Sequence, residues 1–428
     1  MKAGGRRNLA AMCIVAAAAA WAPHARAVEL WASEQGEQSI DLDTAVKWSS
    51  LGAYAPDDPR LYPERATGTA LFRLRLGLNV QFDDRITSEL AYEHRAQLAT
   101  ASGGASASAG ILPSLGEAPY RLTQLDWELA GNGDTTAYRH EIDRALVAFH
   151  PKWGSVVVGR QAIGLGRGVL FGAVDVFSPF SPAEVDREWR RGIDAVRAEY
   201  HLSDTSAVEL IGAFGPSWDD SAALARARGY FGNTDAELII GKRAEDFMVG
   251  TSLSRTVKDA EVHLELAVFH TPESQPEGGL FGDDHLVGKA VLGSSYTFDI
   301  GNGLTVIGEY HYCGFGVEDI DRVTGRAARP EFQERYLRGD LQILGQHALG
   351  LQASYSFGTA WAGYLMILQS PIDGSGLASP ALNWDFSNNA SLRLSAFFPW
   401  GDPPRRGRIR SEYGAVPISL FLQLSAYF

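Results

Sequence analysis

Apolar side chains recur at every second position over much of this chain. Near its end Ile418, Leu420, Leu422, Leu424, Ala426 and Phe428 share one parity, while Ser419, Gln423 and Ser425 share the other. Successive side chains of an extended backbone point to opposite faces, so this run predicts a strand with one apolar and one polar face. The rhythm returns at Phe72, Leu74, Leu76 and Leu78 against Arg73, Arg75 and Asn79, and at Val262, Leu264, Leu266 and Val268 against Glu261, His263 and Glu265. It returns again at Leu349, Leu351, Ala353, Tyr355 and Phe357, and at Leu392, Leu394, Ala396 and Phe398. A soluble sandwich and a membrane barrel both produce such alternation. Run length separates them: these segments extend about 9–14 residues, the reach of a tilted membrane strand rather than the usual ~5–6 of globular sheets.

Short turns bearing Gly or Pro, at 150–154, 299–303 and 357–359, join neighbouring runs as hairpins. Longer polar stretches stand at 99–119, 217–244, 271–286, 317–331, 371–381 and 400–414. Short turns on one rim and long loops on the other predict an all-β, antiparallel, up-and-down transmembrane β-barrel of roughly 16 strands, with 14 to 18 the acceptable range. Closure is required, because an open edge would leave unpaired N–H and C=O groups in lipid.

The N-terminus adds an address. Lys2, Arg6 and Arg7 precede a mostly apolar stretch from Leu9 to Ala22, then Pro23-His24-Ala25-Arg26-Ala27. That is the layout of a secretory signal peptide over 1–27, too short in its apolar part to span a bilayer. Residues 28–67 are expected to form a periplasmic or lumenal segment, and 68–428 the barrel. Removal of the signal leaves Cys313 as the one cysteine, so no internal disulfide forms. With 38 basic against 51 acidic residues the chain lacks the basic surface that nucleic acid requires. A mean hydropathy of −0.11 excludes a bundle of membrane helices.

The segment 159–200 breaks the rhythm. Gly164, Gly166, Gly168, Pro179 and Pro182 prevent a regular membrane strand. Arg160, Arg167, Arg187, Arg190, Arg191 and Arg197 lie here among Asp175, Glu184, Asp186, Glu188, Asp194 and Glu199. Charges of both signs in irregular backbone need water or one another, and a loop folded into a wide barrel offers both. Residues 164–190 are therefore expected to insert into the lumen as a constriction, with an exposed outer loop as the alternative.

The order Gly159-Arg160-Gln161, then Gly164, Gly166, Arg167 and Gly168, then Arg190-Arg191-Gly192-Ile193-Asp194-Ala195-Val196-Arg197, resembles the alginate-export type of outer-membrane barrel. The likeness covers about 40 residues at motif level, and the rest of the chain only as barrel periodicity. It implies a monomeric barrel lined with charged residues that passes an anionic polymer or small anions passively. The Ser178-Pro179-Phe180-Ser181-Pro182 insert and the acidic balance depart from that pattern.

Parity nominates further lumen-facing charges: Arg73, Arg75, Glu89, Glu93, Arg95, Glu209, Glu261, His263, Glu265, Glu309, His311, Arg338, Asp340 and Arg393. Arg or Lys on the lipid face at mid-depth costs about 2–4 kcal/mol, so these side chains belong inside. Arginines there would grip carboxylates or phosphates bidentately. The terminal Phe428 resembles the signal read by the barrel-assembly machinery. No metalloprotease, hydrolase or nucleotide motif appears, and no cofactor or metal is expected. A passive channel for anionic or polar solutes in the outer membrane is the leading expectation. The alternatives are a sleeve around a multihaem cytochrome or another periplasmic partner, and a surface receptor or adhesin.

Overall fold

The computed structural model describes residues 28–100, 110–112, 118–133 and 135–428. The expected signal peptide, and much of the 99–119 stretch, lie outside the described residues. Among the described residues eighteen antiparallel strands close on themselves. They are β1 (Ser39–Tyr54), β2 (Ala66–Gln81), β3 (Ile86–Ala99), β4 (Thr136–Phe149), β5 (Gly154–Gln161) and β6 (Ile193–Ser203). Next come β7 (Ser206–Ala213), β8 (Ala222–Phe231), β9 (Thr234–Arg243), β10 (Asp246–Val257), β11 (Ala260–His270) and β12 (Asp283–Phe298). The wall ends with β13 (Leu304–Cys313), β14 (His347–Ser356), β15 (Trp361–Gln369), β16 (Gly376–Ser387), β17 (Ala390–Trp400) and β18 (Ile418–Tyr427). Each pairs with its sequence neighbours, and β1 meets β18 from Ala45↔Tyr427 to Tyr54↔Ile418. Phe428 seals this seam: its N–H donates to the Thr44 carbonyl at 2.7 Å, and the Thr44 N–H returns a bond at 2.8 Å.

The barrel is all-β and antiparallel as expected, but eighteen strands replace roughly sixteen. Two were hidden in 217–244, which holds β8 and β9 rather than a loop. The outward residues of β8 are Ala223, Ala225, Ala227 and Gly229, too small to announce an apolar face, while Arg226 and Arg228 face inward. Residues 28–67 also need correction. Ser39–Tyr54 is a wall strand, whose outward Val46 and Trp48 alternate with inward Lys47 and Ser49. Only Val28–Ala32, paired to its lower end, lies beside the wall.

Outward positions form a greasy band: Leu420, Leu394, Leu351, Leu292, Leu266, Ile240 and Leu210 are each at least two-fifths exposed. Aromatic rings flank the band near the short-turn rim, where Trp153 stacks on Tyr200 and Trp361 on Trp384 at 5.1 Å. Near the long-loop rim Tyr310, Tyr312 and His347 group together, as do Tyr92, His94, Tyr138 and His140. An apolar belt bounded by aromatic girdles is the outer surface that a membrane-spanning barrel requires.

The slot beside β4 is shared. Its lower half is filled by β5 and its upper half by Asp126–Gly133, because the chain leaves the wall at Gln161 and runs inward as the loop 162–192. That departure positions the site.

Candidate functional site

The loop 162–192 is held inside by carboxylates of the wall. Glu265 of β11 accepts four backbone N–H groups: Arg167 and Gly168 on one oxygen, Ala173 and Val174 on the other. Glu309 of β13 accepts three more, from Val169 at 2.6 Å, Leu170 at 3.0 Å and Phe171 at 2.9 Å. His263 Nε2 lies 3.1 Å from the same carboxylate. Irregular backbone at membrane depth must satisfy its donors within the protein, and two wall acids do so here. Glycine is needed for the close approach: a Cβ at Gly166, where φ is +85°, would meet Glu265 Oε1 at 2.3 Å, and one at Gly168 would meet the Phe171 carbonyl at 1.8 Å. Val174, Val176 and Phe177 then bury against inward Ile211, Ile239, Met248 and Phe269.

The returning half of the loop crosses to the seam. Asp186 accepts from Lys47 Nζ at 2.7 Å and Arg73 Nη1 at 2.9 Å, and Trp189 lies under Lys47, Arg73 and Arg75. Burial raises the Asp186 carboxyl, but Arg73 and Lys47 outweigh it and hold the group below its usual value. Glu93 takes Arg73, Arg75 and Arg95, and Asp143 takes Arg75, Arg121 and Arg144. Asp143 and Arg144 both face inward because a bulge lets Ala91 and Tyr92 pair with Arg144 and Ile142, leaving Asp143 unpaired in the ladder.

Two cavities flank the stretch Pro182-Ala183-Glu184, which lines both. The lower one, about 460 Å³, lies between 182–188 and the inward faces of β14–β18, where Gln352, Tyr364, Ser379, Asn383, Arg393 and Gln423 are its polar lining. The upper one, about 840 Å³, is more apolar, with Phe180, Tyr336, Leu337, Leu341, Ile343 and Val416. The open path is off-centre. The loop fills the half of the lumen crowded with ion pairs, and the free half is walled mostly by neutral residues, with Arg393 among them.

Three cations line the lower cavity. Lys47 is committed to Asp186 and Glu188. Arg187 donates only to carbonyls, those of Glu184, Val169, Ser181 and Pro182. Arg393 lies 5.5 Å from the Tyr364 ring and reaches the Val185 carbonyl at 3.5 Å. Among the described residues neither arginine has a carboxylate in ion-pair range.

The structure brings Arg73, Arg75, Glu93, Glu265, Asp175, Asp186, Arg187, Arg190, Arg191 and Arg393 into one interior network, yet most of them anchor the loop instead of lining the path. Arg190 grips Asp175, whose carboxyl burial nevertheless raises. Arg191 faces Glu141, and burial lowers its guanidinium to about 10. Arg167 pairs with Asp235 of β9, Arg197 with Glu209 of β7. Glu261 and half-buried Glu89 keep the inward parity, with Glu261 accepting from Ser254 and Ser295.

Arg160 and Asp194 do not face the lumen. Their ladder positions match outward Ala145, Val158 and Val196. Arg160 instead closes the gap where β5 leaves the wall: it holds Asp194 at 2.7 Å and the carbonyls of Gln124 at 2.8 Å, Ile142 at 2.9 Å and Thr123. Arg338 and Asp340, expected on an inward strand face, are not on a strand at all. They end and follow the helix Pro330–Arg338, and join Arg335, Arg243 and Asp246 in an ion cluster that ties this helix to β9 and β10. Lys47, Arg121 and Arg144 escaped the sequence reading. The alternation of Val46 and Trp48 around Lys47 was a usable signal. The bulge at Asp143 gave none.

These features define a closed eighteen-stranded barrel with an inserted loop and an off-centre path. No family model and no curated protein matches the sequence. Solved structures share the fold. Acinetobacter baumannii OccAB4 is similar at a TM-score of 0.56 and 10% identity, over 92% of this chain and 100% of that one. Pseudomonas aeruginosa OccK9 (OpdG) gives 0.55 at 10%, over 91% and 98%. Pseudomonas aeruginosa OpdK, solved with vanillate, gives 0.53 at 10%, again over 91% and 98%. The chain thus has a porin-like barrel fold, and the alginate-export likeness gains no support from these neighbours.

Proposed function

We propose that this protein is a passive outer-membrane channel for small organic anions. The aromatic-bounded apolar belt supports the membrane location, with the long-loop rim outside the cell and the short-turn rim in the periplasm. One observation carries the solute class: Arg187 and Arg393 face the lower cavity without carboxylate partners, leaving two guanidinium charges beside the path. The apolar upper cavity favours solutes with an apolar body behind the charge, and vanillate, held by the OpdK neighbour, has that form. An enclosed cytochrome would need a clear lumen, and the loop crosses it.

Purified protein in planar bilayers is expected to give stepwise conductance, with a reversal potential favouring chloride over potassium. An absence of steps, or a cation preference at every pH, sinks the reading.

A further inference from the structure

Three acids line the lower cavity, and two of them are spent. Asp186 is held by Lys47 and Arg73, and Glu188 by Lys47 and the Tyr427 hydroxyl. Glu184 is different. Among the described residues it sits in the one stretch that lines both cavities, where the two adjoin. Among the described residues its carboxylate has no ion pair, and it accepts a single bond from the Ser181 N–H at 3.3 Å. The neighbouring Arg187 reaches the Glu184 backbone carbonyl, with its remaining donors on other carbonyls. The lining charge at the junction is therefore three cations against three acids when Glu184 is ionised, and one positive charge in excess when it is not.

We propose that Glu184 is the selectivity residue of this channel, its gain or loss of a proton setting how strongly anions are preferred over cations at the junction of the two cavities. The proposal rests on the anion-channel reading above. Burial supports the direction, pushing this carboxyl up to about 7 against the pull of Arg187 and Arg73, with Asp186 reinforcing the rise. The other ionisable groups around the two cavities are Lys47, Asp186, Arg187, Glu188 and Tyr427 below, Arg393 and Tyr364 across the path, and Tyr62, Tyr336, Glu412 and Tyr413 above. Glu412, also raised to about 7 by burial, serves as the control.

The test is the reversal potential of the full-length protein in a potassium chloride gradient, read from pH 8 to pH 5.5. The chloride-to-potassium permeability ratio is expected to rise roughly thirtyfold on acidification, since one unit charge at ~4 Å in a water-filled path acts about fivefold on each ion and in opposite directions. Glu184→Gln should fix the ratio at its acid value throughout, with single-channel conductance showing that the barrel is assembled. Glu412→Gln should keep the pH response. A wild-type ratio that is anion-preferring but flat with pH overturns the role of Glu184 and leaves the channel reading intact. A response that survives in Glu184→Gln, or vanishes in Glu412→Gln, also overturns it.

Discussion

Single residues here divide into those that hold the fold open and those that meet the solute, and their partners tell them apart. Arg187 and Arg393 bond to carbonyls or an aromatic ring, so their charge stays available to the path. Replacing either with Gln should lower the chloride-to-potassium ratio by roughly thirtyfold, measured by reversal potential, since one charge at ~4 Å shifts each ion by about 1 kcal/mol in opposite directions. Arg160 belongs to the other group. Its guanidinium satisfies three carbonyls and Asp194 where the wall changes chain segment. Arg160→Ala should cost about 1–3 kcal/mol by leaving partly buried Asp194 and three carbonyls without their donor, read as an earlier unfolding midpoint in urea. Ion selectivity should be unaffected in whatever fraction folds. From sequence, Arg160 and Arg187 look alike, both being arginines in a Gly-rich stretch. Grouping the first with the irregular segment's charges misplaced it, because β5 runs on to Gln161 and keeps Arg160 on the outward parity of Val158.

At the scale of elements, the inserted loop was legible and its fastening only partly so. Gly and Pro density between 164 and 182 marked backbone that could not be wall. Glu265 and Glu309 were correctly given the inward parity, but as pore charges. That they bind seven loop amides could not be read from alternation, which records which face a residue takes and nothing of what it meets. Hydrogen bonds to a charged acceptor contribute about 1.5–3 kcal/mol each, without simple additivity. Glu265→Ala combined with Glu309→Ala should release the loop, giving larger and noisier single-channel conductance than wild type. Unchanged steps would mean that apolar packing of Val174 and Phe177 suffices. A second fastening joins the loops 401–417 and 314–346: Glu412 accepts the Leu344 N–H at 2.8 Å and the Gly345 N–H at 2.7 Å. Its folded-state value of about 7 exceeds the usual 4.5. Between those values the folded form holds a proton that the released form lacks, so stability falls as pH rises through the window. Trypsin should therefore cut at Arg405–Arg410 faster at pH 8 than at pH 5.5 after correction for its own pH profile, and Glu412→Gln should flatten the difference.

For the whole molecule, periodicity revealed a closed sheet because the outward face must be apolar along every strand. It undercounted the strands where that face is built of Ala and Gly, as on β8, and it missed β1, whose outward residues include Ser50 and Gly52. An arginine at outward Leu394 should cost about 2–4 kcal/mol and reduce assembled barrel in the membrane fraction, whereas one at inward Ser395 should assemble and alter conductance. The off-centre path carries this contrast further. Strands β14–β18 supply the wall side of the lower cavity, facing the loop residues 182–188, yet none of the carboxylates that fasten the loop. They form an interchangeable panel: natural variation or laboratory redesign could repaint that one flank for a different cargo while the carboxylates that hold the loop, on β11 and β13, stay untouched.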